Sequence, residues 1–207
     1  MKLEAARQLV YNAAAKSERN DPALTYFGAA AKCFASDVAM EITTDAVQLF
    51  DSWAGYLSAR DYREFVRPYS TQIFDAMRPY GIPMIHFGVG TGELLGDMAL
   101  AGPDVVGVDW RVPMDSAATR ISAALQEADP TAEPGSRAKV LQGNLDPAML
   151  FAGPEVVARE IARICAEVDR AIERGQARGH IFNLGHGVLP NTDPDAITRA
   201  FEEVHKR

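Results

Sequence analysis

Five short apolar runs, each closed by an uncommon set of polar residues and each followed by a helical pattern, constrain this chain more than any other feature. Ala46–Phe50 ends at Asp51-Ser52, Met84–Phe87 carries His86 and runs into Gly88, and Val105–Asp109 runs into Trp110-Arg111. Val140–Gln142 leads to Gly143-Asn144, and His180–Asn183 to Gly185-His186-Gly187. Apolar runs of this length bounded by turn residues read as buried strands, and strands alternating with amphipathic helices specify an α/β fold, a parallel sheet covered by helices. All carboxyl ends of a parallel sheet point the same way, so these polar ends gather on one rim, where ligands of parallel folds bind.

The helical segments carry their own signals. Asp21-Pro22 is a helix start, and Leu24, Phe27, Ala31, Phe34, Val38 and Ile42 trace one face after it. Lys2 to Ala15, within an N-terminal helical stretch over 1–20, is poor in large apolar residues, which leaves its packing partner undefined. Ser58 and Asp61 resemble a capping box before a single helix whose face is Tyr62, Phe65, Val66, Tyr69, Ile73 and Met77, stopped by Gly81 and Pro83. Thr91–Leu100 and Ser116–Glu127 are expected to be helical. Pro154 opens a helix with Val157, Ile161, Ile164, Val168 and Ile172 on one side, and Asp193-Pro194 opens the last, with Ile197, Phe201 and Val204.

A barrel takes eight strands and typically about 250 residues. Five strands do not close one, so the pattern leaves either an open α/β domain or the C-terminal part of a TIM barrel. Residues 1–207 show no internal hinge or low-complexity tract and read as one domain.

Charge and composition remove several functions. The net charge of −7 and the lack of a clustered basic face argue against a nucleic-acid partner, although a few arginines can still hold a small anion. No eighteen apolar residues run together, and the opening MKLEAARQLV has charges among its apolar residues, so neither membrane span nor secretory signal is expected and the cytoplasm is the expected location. Cys33 and Cys165 stand far apart in helical patterns and read as buried, inert thiols without a disulfide or zinc framework. His180, ahead of its strand, and His205, on the last helix, read as solvated; His86 reads as a core histidine.

The stretch HFGVGTGELLGDMALAGPDVVGVDWR, His86 to Arg111, resembles the cofactor turn of S-adenosylmethionine-dependent methyltransferases. Gly88, Gly90 and Gly92 would let backbone approach the cofactor, and Asp109 would hold its ribose hydroxyls. The simpler reading is a tight strand-to-helix loop with Asp109 as a strand-end polar group. A strand and a long helix precede the turn, whereas the methyltransferase unit opens its fold with it.

Four segments carry a second resemblance, in order: DAVQLFDSWAG at Asp45–Gly55, VVGVDWRVP at Val105–Pro113, LQGNLDP at Leu141–Pro147 and FNLGHGVLPNTDPD at Phe182–Asp195. With them the chain resembles the C-terminal part of the uroporphyrinogen decarboxylase family. The resemblance implies the last five βα units of a TIM (β/α)8 barrel, with the parallel sheet not closed by this chain alone. It implies a porphyrinogen substrate, whose four acetate arms lose carbon dioxide without metal or organic cofactor. Ser52 and His186 match the family's hydroxyl and histidine substrate contacts, and Phe50 matches an aromatic-bearing position at the cavity wall. The family's essential aspartate, its carboxylate-binding arginines and its active-site tyrosine lie in its N-terminal portion, and no RQAGR-like segment precedes Asp45. The chain is therefore expected to hold part of the substrate site, to turn nothing over alone, and to self-associate or pair with an N-terminal part. The family's corrinoid-linked methyltransferase branch would need cysteine zinc ligands at strand ends, where this chain has none. A non-enzymatic interaction fragment is the third reading.

Overall fold

The computed structural model describes residues 46–206. The chain divides into two compact units, Met1–Val47 and Gln48–Arg207, and the described residues belong almost wholly to the second. Lys2–Ala15, the face from Leu24 to Ile42 and Cys33 lie outside the described residues.

Strand β1 (Val47–Phe50) is followed by α1 (Ala59–Phe65) and α2 (Arg67–Met77), then β2 (Met84–Phe87), α3 (Leu95–Leu100), β3 (Val105–Gly107) and α4 (Met114–Ala128). Then come β4 (Lys139–Leu145), α5 (Pro154–Glu173), β5 (Ala177–Leu184) and α6 (Pro194–His205). The five strands form one sheet in the order β1-β2-β3-β4-β5. Strands β2 to β5 pair in parallel, and the N–H of Asp51, just past β1, donates to the carbonyl of Phe87 at the end of β2 (2.7 Å). All five carboxyl ends therefore lie along one rim. Sequential order is the winding of a (β/α) barrel; a doubly wound sheet reverses its strand order at a switch point. The described residues form an open segment of such a barrel.

Alternation along the strands separates two faces. Val106, Val108 and Leu141 join Ile121, Ile161, Ile164 and Val168 of the helices in the main core, and Leu49 packs against Phe74 and Met84. The opposite, concave face carries Gln48, to which the Gln142 amide donates (3.2 Å), and Phe50, whose ring meets that of Phe87 edge-on at 6.0 Å. Gly107 lies beneath that ring: a Cβ there would stand 2.7 Å from Phe87 Cδ2.

Several elements depart from the sequence expectation for physical reasons. The helix read as continuous from Ser58 to Met77 breaks at Val66 (φ −120°, ψ −53°). Pro68 has no N–H to give the preceding turn and instead sits at the start of α2, where no partner is required. The break reorients the second half, where Phe74 is buried while Tyr69 and Ile73, expected inside, are exposed; ahead of the break Tyr62 is buried and Phe65, also expected inside, is exposed. Helix α3 begins at Leu95, not Thr91, because the Thr91 hydroxyl closes a turn onto the Gly88 carbonyl (3.0 Å). Strand β3 stops at Gly107, short of Asp109, while β4 and β5 extend beyond the runs that announced them. On α5 the buried face ends at Ala171, leaving Ile172 exposed, and on α6 it is Ala196 and Ala200 that are buried. Ile197 and Phe201 are instead exposed. Cys165 is half-buried against the main core.

Candidate functional site at the carboxyl rim

The loop after β3 is the hub of the rim. Asp109 is buried, and its carboxylate accepts from the N–H of Gly90 in the β2 loop (2.5 Å), from the N–H of Arg111 (3.0 Å) and from the Arg111 guanidinium (2.8 Å). From β4, the buried Asn144 amide donates to the carbonyls of Asp109 (2.8 Å) and Val112 (2.6 Å). From β5, Gly185 packs against Trp110 so closely that a Cβ would collide with its backbone nitrogen. Gly143 has φ +138° and lies against the Val108 carbonyl, a conformation and an approach open only to glycine. Gly90, Gly143, Asn144 and Gly185 are thus the residues that let four strand ends interlock.

The interlocking fixes where the candidate ligand groups stand. His186 is exposed, and its ring meets the Trp110 ring edge-on at 5.9 Å. The Gly187 N–H donates to His186 Nδ1 (2.6 Å), so the neutral ring carries its proton on Nε2. The turn thus reserves Nε2 as the donor. Ser52 is exposed at the end of β1, and its hydroxyl has no hydrogen bond among the described residues. Phe50 is 64 % exposed on the concave face. Ser52 and Phe50 share the β1 edge, whereas His186 follows β5 at the other edge and meets Trp110 of the loop after β3. All three lie at the carboxyl ends.

The other histidines divide differently from the sequence expectation. His86 is fully buried, edge-on to Phe74 at 5.2 Å, with Nδ1 3.4 Å from the Met98 carbonyl. Its Nε2 is 3.6 Å from Asp51 Oδ2, beyond hydrogen-bond length, and both atoms are buried without a hydrogen bond among the described residues. His180, read as solvated, is half-buried with Nε2 2.7 Å from the Gly143 carbonyl, and burial pushes its pKa down from the ordinary imidazole value. Strand β5 begins at Ala177, which puts His180 inside the sheet and not ahead of it. His205 is exposed on α6, as expected.

This geometry rejects the S-adenosylmethionine reading. Among the described residues the strand order has no switch point, and the Asp109 carboxylate is taken up by Gly90 and Arg111 in place of ribose hydroxyls. Among the described residues no three His, Cys, Asp or Glu side chains gather as a metal site would require.

A sequentially wound parallel sheet with polar residues along its carboxyl rim defines a segment of a (β/α) barrel. A family model described as uroporphyrinogen decarboxylase (URO-D) matches residues 23–207. A protein of Corynebacterium diphtheriae named uroporphyrinogen decarboxylase is 65 % identical over 160 residues, covering 77 % of this chain and 42 % of that protein. One from Rhodococcus erythropolis is 65 % identical over 161 residues (78 % of this chain, 41 % of that protein), and one from Saccharopolyspora erythraea 62 % over 165 (78 % and 42 %); both carry the same name. The chain belongs to the uroporphyrinogen decarboxylase family. It spans about two-fifths of the length of these relatives.

Proposed function

We propose that residues 46–206 form one wall of a porphyrinogen site, the part that grips the substrate's carboxylate arms, in a cofactor-free decarboxylase of cytoplasmic haem biosynthesis. One observation carries the reading: the loops after β2 and β3 and the ends of β4 and β5 interlock through Asp109, Asn144 and Gly185, which holds the His186 imidazole against Trp110 with Nε2–H as its remaining donor. A carboxylate accepts from such an N–H, and from the Ser52 hydroxyl at the opposite edge, while Phe50 offers an apolar wall to a pyrrole ring. Decarboxylation of an acetate arm on a pyrrole needs protonation of a ring carbon, loss of carbon dioxide and reprotonation of the methylene. The cationic intermediate is the electron sink, and a carboxylate near the pyrrole N–H groups would stabilise it. The resemblance places that carboxylate in the family's N-terminal portion, outside the segment that these residues match.

The same reading explains the apolar edge. A groove of about 380 Å³ beside β5 is lined by Leu145, Phe182, Leu184, Ile197, Phe201 and Val204, and its exposed strand and aromatic ring suit pairing with a further barrel segment or a second copy. Residues 1–207 then act as a single partial domain. The test is anaerobic incubation of the purified 207-residue chain with uroporphyrinogen III. The expected result is no coproporphyrinogen; its formation would overturn the assignment of this chain to the binding wall alone.

A further inference from the structure

Arg111 pairs with Asp109 through one Nη and has donor capacity beyond that pair. Its guanidinium carbon lies 3.9 Å from the centre of the Trp110 ring, over it, and the Trp110 and His186 rings meet T-shaped at 5.9 Å. The guanidinium therefore stands within about 10 Å of the His186 imidazole, on a shared aromatic platform. The side chain is 50 % exposed, and one Nη donates to Asp109 Oδ2. Nε and the second Nη have no hydrogen bond among the described residues.

A guanidinium needed only to neutralise Asp109 would gain nothing from exposure. Asp109 already accepts from two backbone N–H groups, those of Gly90 and Arg111 itself, which any side chain at position 111 leaves in place. Stacking on Trp110 holds the planar fork in one orientation, which lowers the conformational cost of presenting two parallel N–H donors to a carboxylate. Two donors beside one indole, the Arg111 guanidinium and the His186 Nε2–H, match a ligand with several carboxylates on a rigid ring.

We propose that Arg111 is a substrate-binding residue that takes one carboxylate arm of the porphyrinogen while His186 takes another. This rests on reading the rim as a porphyrinogen site. Removing the cation loses a charge-assisted hydrogen bond, worth roughly tenfold or more in affinity, and lowers the dependence of binding on salt. Replacing it by lysine keeps the charge and the salt dependence but loses the stacked fork.

The experiment titrates the full 207-residue chain with uroporphyrin III over a range of salt concentrations, for wild type, Arg111→Gln, Arg111→Lys and His186→Gln, with thermal melting of each. The expected result is a roughly tenfold or larger loss for Arg111→Gln with a shallower salt slope, partial retention for Arg111→Lys with the wild-type slope, and a cooperative melt for every variant. Wild-type affinity in Arg111→Gln, with a clear loss in His186→Gln, would overturn the role of Arg111 and leave the site standing. Equal losses in both arginine variants with an unchanged salt slope would make Arg111 structural and overturn it equally. Failure of the wild-type chain to bind uroporphyrin III would overturn the site reading and the inference together.

Discussion

Replacing Asn144 tests whether the rim is held together as the geometry indicates. Its amide donates two hydrogen bonds, to the carbonyls of Asp109 and Val112, from a side chain that is only 3 % exposed. Asn144→Ala deletes both and strands two acceptors in a buried region. Each acceptor stranded by losing its donor costs about 1–3 kcal/mol, the lost bond included, so the two cost about 2–6 kcal/mol. Part of this is offset, because Asn144 Oδ1 is itself buried without a hydrogen-bond partner among the described residues and leaves with the side chain. The balance is a destabilisation of about 2–4 kcal/mol. With a urea slope of about 2 kcal/mol/M for a unit of this size, the midpoint falls by about 1–2 M. Asn144→Asp should be worse than alanine, since a carboxylate would face two carbonyl oxygens. The assay is urea unfolding followed by tryptophan fluorescence and far-UV circular dichroism at one protein concentration. A loss under about 0.5 kcal/mol for alanine, or an aspartate variant as stable as wild type, would refute the argument that Asn144 clasps the loop after β3.

Two further outcomes follow from particular contacts. Gly185→Ala drives a Cβ into the Trp110 backbone, so it should cost about 1–3 kcal/mol and shift the His186 ring resonances in a ¹H–¹⁵N spectrum; unchanged shifts would contradict the packing. His180 takes its proton at lower pH in the folded chain than in the unfolded chain, because burial disfavours the imidazolium. Between the depressed folded value and the ordinary value near 6.5 the unfolded chain binds more protons, so stability is fully present above the ordinary value and falls as pH drops through the window below it. His180→Gln should flatten urea midpoints over that window, and a pH dependence identical to wild type would contradict it.

Much of this architecture was legible because the strands announce themselves. Short runs such as Met84–Phe87 are bounded by Gly81, Pro83 and Gly88, and buried parallel strands have little freedom to be anything else. The order of those strands was not legible: periodicity says which residues are buried, not which strand lies beside which. The identical order of the four family-like segments supplied that step. Helix faces were misread where a neighbour decides burial. Tyr69 and Ile73 have the right spacing, yet Pro68 breaks the helix ahead of them and they face outward. Ile197 and Phe201 likewise lose to the small residues Ala196 and Ala200 as the buried side of α6.

At the rim the sequence announced polar strand ends without their division of labour. Asp109 and Asn144 had the look of ligand groups, and each instead satisfies backbone atoms of a neighbouring loop. That role depends on contacts 19 to 35 residues apart, which local patterns do not encode. Trp110 and Arg111 passed unnoticed as partners of His186. Their only signal was position, directly after a strand that ends on the same rim.

The central claim is that this rim is a porphyrinogen-binding wall. Anaerobic equilibrium titration of the 207-residue chain with uroporphyrinogen III, comparing wild type with Ser52→Ala and His186→Gln, tests it most directly. The account predicts saturable binding by wild type that weakens in each variant while their folds, followed by circular dichroism, stay intact. No binding by the folded wild-type chain, or equal binding by all three, would contradict it.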